Sequence, residues 1–133
     1  MRRIGRRFFC GCIGAAASGS ALAMSPPSLM IFFGYGESEI GSAGGATIKQ
    51  VVDYFHKMRD AHITIVGHAD TAEASVPLSM ARAVTAKMRL LEMGIPPDRI
   101  STVARGDKAI LVQTPPGTRE PQNRRVEFVL QNG

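Results

Sequence analysis

A run rich in β-branched residues, Ile63-Thr64-Ile65-Val66, stops at Gly67-His68-Ala69-Asp70 and is followed by a segment of helical period. That succession constrains the chain more than any other feature, because a buried strand that feeds a helix needs the helix to pack back on a sheet. After the loop Thr71–Pro77, the expected helix is Met80–Met93. Ser79 is its expected N-cap, and Ala81, Val84, Met88 and Leu91 are its expected core stripe. Gly94 closes it, and Pro96-Pro97 keep it from resuming. Upstream, Leu29–Phe33 is an apolar run of strand length, broken at Gly34-Tyr35-Gly36. From about Gly45, Ile48, Val51, Val52, Phe55 and Met58 mark one face of a helix. Downstream, Arg99–Ala104 reads as a third strand and Thr114–Pro121 as a polar loop. Arg125–Leu130 reads as a last strand, with Val126, Phe128 and Leu130 on one side. The expected fold is α/β, more closely an α+β two-layer sandwich. A mixed β-sheet carries two main helices packed on one face, in βαβαββ order, over a single core.

Charge separates the start of the chain from the rest. Sixteen Lys and Arg stand against eleven Asp and Glu, a formal net charge of +5. Arg2, Arg3, Arg6 and Arg7 precede the uncharged run Phe8–Ala17, then Ser18-Gly19-Ser20 and Ala21-Leu22-Ala23. Past Ala23, twelve basic groups face eleven acidic ones, so no basic groove for nucleic acid is expected. A basic start, a short apolar middle and small residues before the cut describe a cleavable secretory signal over residues 1–23. The alternative, an uncleaved anchor, has only Phe8–Met24 to span with, diluted by Gly and Ser. Arg6-Arg7-Phe8-Phe9 also resembles the core of a twin-arginine export signal. Residues 24–28, with Pro26-Pro27, read as a flexible lead, and 29–133 as the folded domain. Cys10 and Cys12 both fall in the signal, so that domain has no cysteine and no disulfide. Phe9 and the short apolar stretch before Cys12 oppose a lipid-attachment site there.

The chemistry concentrates where the second strand ends. Asp70 emerges at the sheet edge, and Arg82 lies near the start of the next helix. A carboxylate, a guanidinium and the free N–H groups of a helix start suit a zwitterion. Asp70 would accept from an ammonium group, and Arg82 would hold a carboxylate through two parallel bonds. Residue types alone leave plainer possibilities open: Asp70 and Arg82 pair with each other, or Asp70 closes a turn. His68 and His62 lack a third ligand at metal spacing, and His68 reads as a buried, hydrogen-bonded brace of the loop. The glycines around Gly34 and Gly44 lack the Gly-Lys-Ser/Thr ending of a phosphate loop. No Gly-x-Ser-x-Gly elbow surrounds Ser38, Ser42, Ser75 or Ser79. Met80, Met88 and Met93 read as core and rim filler. No metal, cofactor or catalytic group is expected.

Four linked segments carry a resemblance. Ile65-Val66-Gly67-His68-Ala69-Asp70 is followed by Leu78-Ser79-Met80-Ala81-Arg82-Ala83, then Gly94-Ile95, then Asn123-Arg124-Arg125-Val126-Glu127-Phe128. In this order they resemble the OmpA-like C-terminal domain family of outer-membrane proteins and Pal-type lipoproteins. Ile31-Phe32-Phe33 is similar to that family's first strand, and the resemblance runs from Leu29 to Gln131. It implies non-catalytic, non-covalent binding of peptidoglycan through the meso-diaminopimelate of the stem peptide. It further implies a place in the periplasm or cell envelope, associated with the outer membrane, with membrane contact only indirect. Carried over by motif, Asp70 and Arg82 hold the diaminopimelate, and His68, Ala69, Thr71, Ser79, Asn123 and Arg124 support them. The sequence also departs from the family. Ala69 stands where Thr is usual, Ser75-Val76-Pro77 stand where a Tyr-Asn pair is common, and the loop after Asp70 is shortened. Gly34-Tyr35-Gly36 replaces an Asp-rich turn. These departures admit a second possibility, a degenerate module that serves envelope-complex assembly or self-association, with protein partners and without wall binding.

Overall fold

The structure, a computed structural model, describes residues 29–132. The expected signal at 1–23 and lead at 24–28 lie outside the described residues. The elements follow in the order β1 (Leu29–Phe32), α1 (Ser42–Lys57), β2 (Ala61–Gly67), α2 (Val76–Glu92), β3 (Ile100–Ala104) and β4 (Arg125–Asn132). Short 3-10 turns at Pro97–Arg99 and Pro121–Asn123 lead into β3 and β4. The expected βαβαββ order and mixed sheet are present.

The sheet order is β1-β4-β2-β3. β4 runs antiparallel to both β1 and β2, while β2 and β3 are parallel. β1, β2 and β3 therefore all point one way and β4 opposes them. Phe32 pairs with Arg125, and Gly67 pairs with both Val126 and Ala104. The chain thus leaves β1, β2 and β3, and enters β4, at one end of the sheet. Residues with no proximity in sequence meet there.

One face of the sheet is apolar because its strands alternate. Leu29 and Ile31, Ile63 and Ile65, and Val126, Phe128 and Leu130 point to the same side and form one core with Ile48, Val51, Ala83, Ala86 and Leu90 from the helices. α1 buries Ile48, Val51 and Val52 as expected, but it starts at Ser42, its first turn running through Gly44 and Gly45.

α2 corrects the sequence reading in two ways. It begins at Val76, and its cap is Ser75, whose Oγ accepts from the Leu78 N–H at 3.1 Å. Ser79 lies inside the helix, its Oγ donating to the Val76 carbonyl at 2.8 Å. The buried face is Ser79, Arg82, Ala83, Ala86 and Leu90. Val84 and Met88 face solvent, and Ala81 and Leu91 are half-buried. Met93 is likewise exposed, while Met80 is half-buried, so of the three methionines read as core and rim filler only Met80 serves, at the rim. The reason is steric. A Cβ on Gly67 would collide with the Ser79 carbonyl oxygen, so strand and helix meet backbone to backbone. Only a face of small residues can approach that closely, and Ala83 and Ala86 supply it.

Candidate functional site

The end of the sheet where the strands deliver their loops holds Asp70, Arg82 and the residues expected to support them, whereas His62 lies toward the other end, bonded to Ser101. Asp70 and Arg82 are both fully buried. They do not pair with each other. Each has a separate partner, and one further residue, Glu73, links them.

Glu73 arises from a single turn that follows β2. The Ala74 N–H donates to the Asp70 carbonyl at 2.9 Å, and Ala74 then takes φ 40°, which ends the turn. Within it, Asp70 Oδ1 accepts from the Glu73 N–H at 2.8 Å, while Glu73 Oε1 accepts from the Asp70 N–H at 3.1 Å. This reciprocal pair is a capping box. It fixes the backbone of Glu73 and turns its side chain inward, where only 2% of it is exposed.

The Glu73 carboxylate meets the Arg82 guanidinium end-on as a two-bond pair. Arg82 Nη1 donates to Oε1 at 2.8 Å, and Nη2 donates to Oε2 at 2.6 Å. The Gly36 N–H adds a bond to Oε2 at 2.8 Å. The carboxylate thus has four donors: two from Arg82 and two from loop N–H groups, Asp70 and Gly36. The helix N-terminus, expected to help hold a carboxylate here, does not contribute, because Arg82 sits past the first turn of α2 and Ser75 caps that turn.

Arg82 has no donor to spare. Its Nε donates to the Glu37 carbonyl at 2.8 Å, Nη1 also to the His68 carbonyl at 2.9 Å, and Nη2 also to the Gly34 carbonyl at 3.1 Å. Those bonds and the two to Glu73 use all five N–H groups. The Phe33 ring lies 5.3 Å away on one side.

Asp70 is equally committed. Its Oδ2 accepts from Arg124 Nη1 at 2.9 Å and from the Glu120 N–H at 3.0 Å. Arg124 in turn donates from Nε to the Phe33 carbonyl at 3.0 Å. Burial pushes the Asp70 carboxyl up, but the N–H bonds from Glu73 and Glu120 and the Arg124 guanidinium together hold it below its ordinary value. Asp70 is therefore an ionised carboxylate in a closed set of donors. It closes a turn, as the plainer reading had it, and it also binds Arg124.

The supporting residues are all nearby, with uses of different kinds. The Ala69 N–H donates to the Gly106 carbonyl at 2.7 Å. Ser79 Oγ accepts from the Gly106 N–H at 3.0 Å, so the residue expected to cap α2 anchors the loop after β3 instead. Thr71 Oγ1 accepts from the Thr118 N–H at 3.0 Å and donates to the Pro115 carbonyl at 2.8 Å. Asn123 Oδ1 accepts from the Leu111 and Val112 N–H groups, each at 2.8 Å, and Nδ2 returns a bond to the Val112 carbonyl. Thr71 and the Ala69 N–H thus tie the loop after β2 to the long loop before β4, Ser79 ties that loop to α2, and Asn123 closes it on itself.

His68 is buried, but not the hydrogen-bonded imidazole that was expected. Neither ring nitrogen has a hydrogen-bond partner, and Nε2 is 3.7 Å from Glu127 Oε2. The bracing is done by its backbone: the N–H donates to the Arg125 carbonyl at 2.8 Å and the carbonyl accepts from Arg82. The imidazole pKa is lowered to about 4, chiefly by burial and then by the charge of Arg125, with Glu127 raising it and Arg105 lowering it.

Sequence reasoning missed Glu73 and the Asp70–Arg124 ion pair. For Glu73 a signal existed. Asp70-Thr71-Ala72-Glu73 has the spacing of a capping box, but it occurs in a stretch read as a loop.

Comparison with known proteins bears on the family and the fold. A family model described as the OmpA family matches residues 32–124. An "Outer membrane protein" of Gluconacetobacter diazotrophicus is 29% identical over 110 residues, which cover 76% of this chain and 29% of that protein. A "Peptidoglycan-associated lipoprotein" of Brucella melitensis biotype 1 is 30% identical over 103 residues, 75% of this chain and 61% of that one. The chain therefore spans less than two thirds of the length of these curated relatives. Among solved structures, the OmpA-like domain of FopA1 from Francisella tularensis subsp. tularensis superposes with a TM-score of 0.70 at 21% identity, over 79% of this chain and 72% of that one. It shares the fold.

Proposed function

The chain belongs to the OmpA family, and from that premise we propose that it is a non-catalytic module that binds peptidoglycan in the cell envelope. Its ligand is the free zwitterionic end of diaminopimelate in the stem peptide. Arg82 grips the ligand carboxylate and Asp70, shared with Arg124, provides the negative charge for the ammonium. His68, Ala69, Thr71, Ser79, Asn123 and Arg124 hold the loops that frame them. The name of the Brucella relative supports association with the wall, and that of the Gluconacetobacter relative supports a place at the outer membrane.

The observation that carries this reading is the buried Arg82 fork. It holds a carboxylate by two parallel bonds, supported by two loop N–H groups, at the end of the sheet. Such a receptor discriminates by geometry, and lysine cannot reproduce it. Calorimetric titration of the chain with a diaminopimelate-containing stem peptide should give saturable binding that weakens with salt. Arg82→Lys, which keeps the charge and loses the fork, should lower the affinity at least about tenfold. Binding that is indifferent to that change sinks the assignment. Prolonged incubation with purified sacculi should release no soluble muropeptide.

A second reading has its own support. All five N–H groups of Arg82 are taken by the protein, as they would be in a module that kept the fold for envelope-complex assembly or self-association and lost the ligand. In that case the chain is not retained on sacculi, while it still associates with itself or with envelope proteins.

A further inference from the structure

We propose that Glu73 is a resident surrogate for the ligand's carboxylate, and that a ligand enters the Arg82 site by displacing it. This inference rests on the reading of Arg82 as a binding group. Glu73 makes the contacts an incoming carboxylate would make: two parallel bonds from the guanidinium and one N–H bond on each oxygen, from Asp70 and Gly36. The remaining Arg82 donors are spent on the carbonyls of Gly34, Glu37 and His68. A second carboxylate therefore has no free donor at Arg82, and the only exchangeable partner is Glu73.

Exchange is balanced where addition is not. Removing Glu73 alone would leave a fully buried guanidinium with no counter-charge, which is strongly unfavourable. Replacing one carboxylate by another keeps the ion pair and the bond count. The element that carries Glu73 is small enough to swing. It is one turn, closed by the Ala74-to-Asp70 bond and the capping box, and it ends on an alanine with φ 40°, a conformation that non-glycine residues adopt at a cost. The neighbouring loops meet beside it: the Arg119 guanidinium stacks 3.7 Å from the Tyr35 ring, next to the Gly36 N–H that holds Glu73. The site is closed by its own side chain, and its apparent affinity is the intrinsic affinity reduced by the small open fraction.

Two arms test this. In the first, the melting temperature of Glu73→Ala is measured with added acetate, against chloride at equal ionic strength. The variant should melt below the parent, and acetate should restore it saturably while leaving the parent unchanged. If Glu73→Ala does not fold, acetate should permit its refolding. A variant indifferent to acetate overturns the inference. In the second arm, the stem peptide is titrated into the parent and into Glu73→Gln, whose neutral side chain holds Arg82 less firmly. Glu73→Gln should bind at least roughly tenfold more tightly. Equal affinity in parent and variant overturns the closure and leaves wall binding standing. Acetate rescue with no peptide binding in any variant upholds the carboxylate receptor and its resident, and retires wall binding.

Discussion

The guanidinium of Arg82 and the carboxylate of Glu73 have left water together, so each depends on the other. Arg82→Ala would strand a buried carboxylate and should destabilise the fold by about 3–5 kcal/mol. Exchanging both, Arg82→Met with Glu73→Leu, should cost less than the sum of the two single changes, with a coupling of at least about 1 kcal/mol in a denaturant-based double-mutant cycle. Additive losses would show that the carbonyls of Gly34, Glu37 and His68 hold Arg82 without help. At this scale the sequence was half legible. Asp70 and Arg82 stood out because their motifs flank a strand and a helix start. Their partners did not. Arg124 meets Asp70 across 54 positions, and no local pattern reports such a pairing. Glu73 lies three positions away, yet its inward direction depends on a turn that carries no hydrophobic period.

α2 shows how a clear periodicity can still name the wrong face. Ala81, Val84, Met88 and Leu91 and the buried set Ser79, Arg82, Ala86 and Leu90 have similar spacing. The first set carries more apolar volume, so it reads as the core stripe. The sheet selects the second because Gly67 admits the α2 backbone and larger residues would hold it off. Gly67→Ala should therefore destabilise the protein by about 2–4 kcal/mol, since its added methyl meets backbone and not a movable side chain. Ser75→Ala, which removes the true cap, should cost about 1 kcal/mol. Ser79→Ala should act mainly on the loop it holds at Gly106. Urea midpoints for the first two, and hydrogen exchange of the Gly106 amide for the third, separate these effects.

Across the molecule, the fold class and strand order of appearance were legible from alternation and period, whereas the pairing that makes the site was not. Neither strand pattern nor helix period says that β4 enters between β1 and β2. The resulting burial also governs response to acid. His68 is held neutral, with its pKa near 4 in the fold against 6.5 when exposed. Between those values the unfolded chain binds the proton and the folded one does not, so stability falls as pH drops from about 6.5 to 4, by on the order of 2–3 kcal/mol. Asp70, whose carboxyl is held down, adds a further loss below its ordinary range, as acid protonates it and frees Arg124. Urea unfolding at stepped pH should show both declines, and His68→Gln should flatten the upper one alone.

The placement of β4 also shapes how the protein comes into being. Leu29 pairs with Phe128, and among the described residues β1 has no strand neighbour other than β4. Of the described strands, β1 is made earliest and waits for β4, made latest, before it can join the sheet. Contacts of such long reach make folding slow and cooperative. A chain ending before Arg125 would not be a shorter domain; it would be a sheet missing its middle, with β1 parted from β2 and β3.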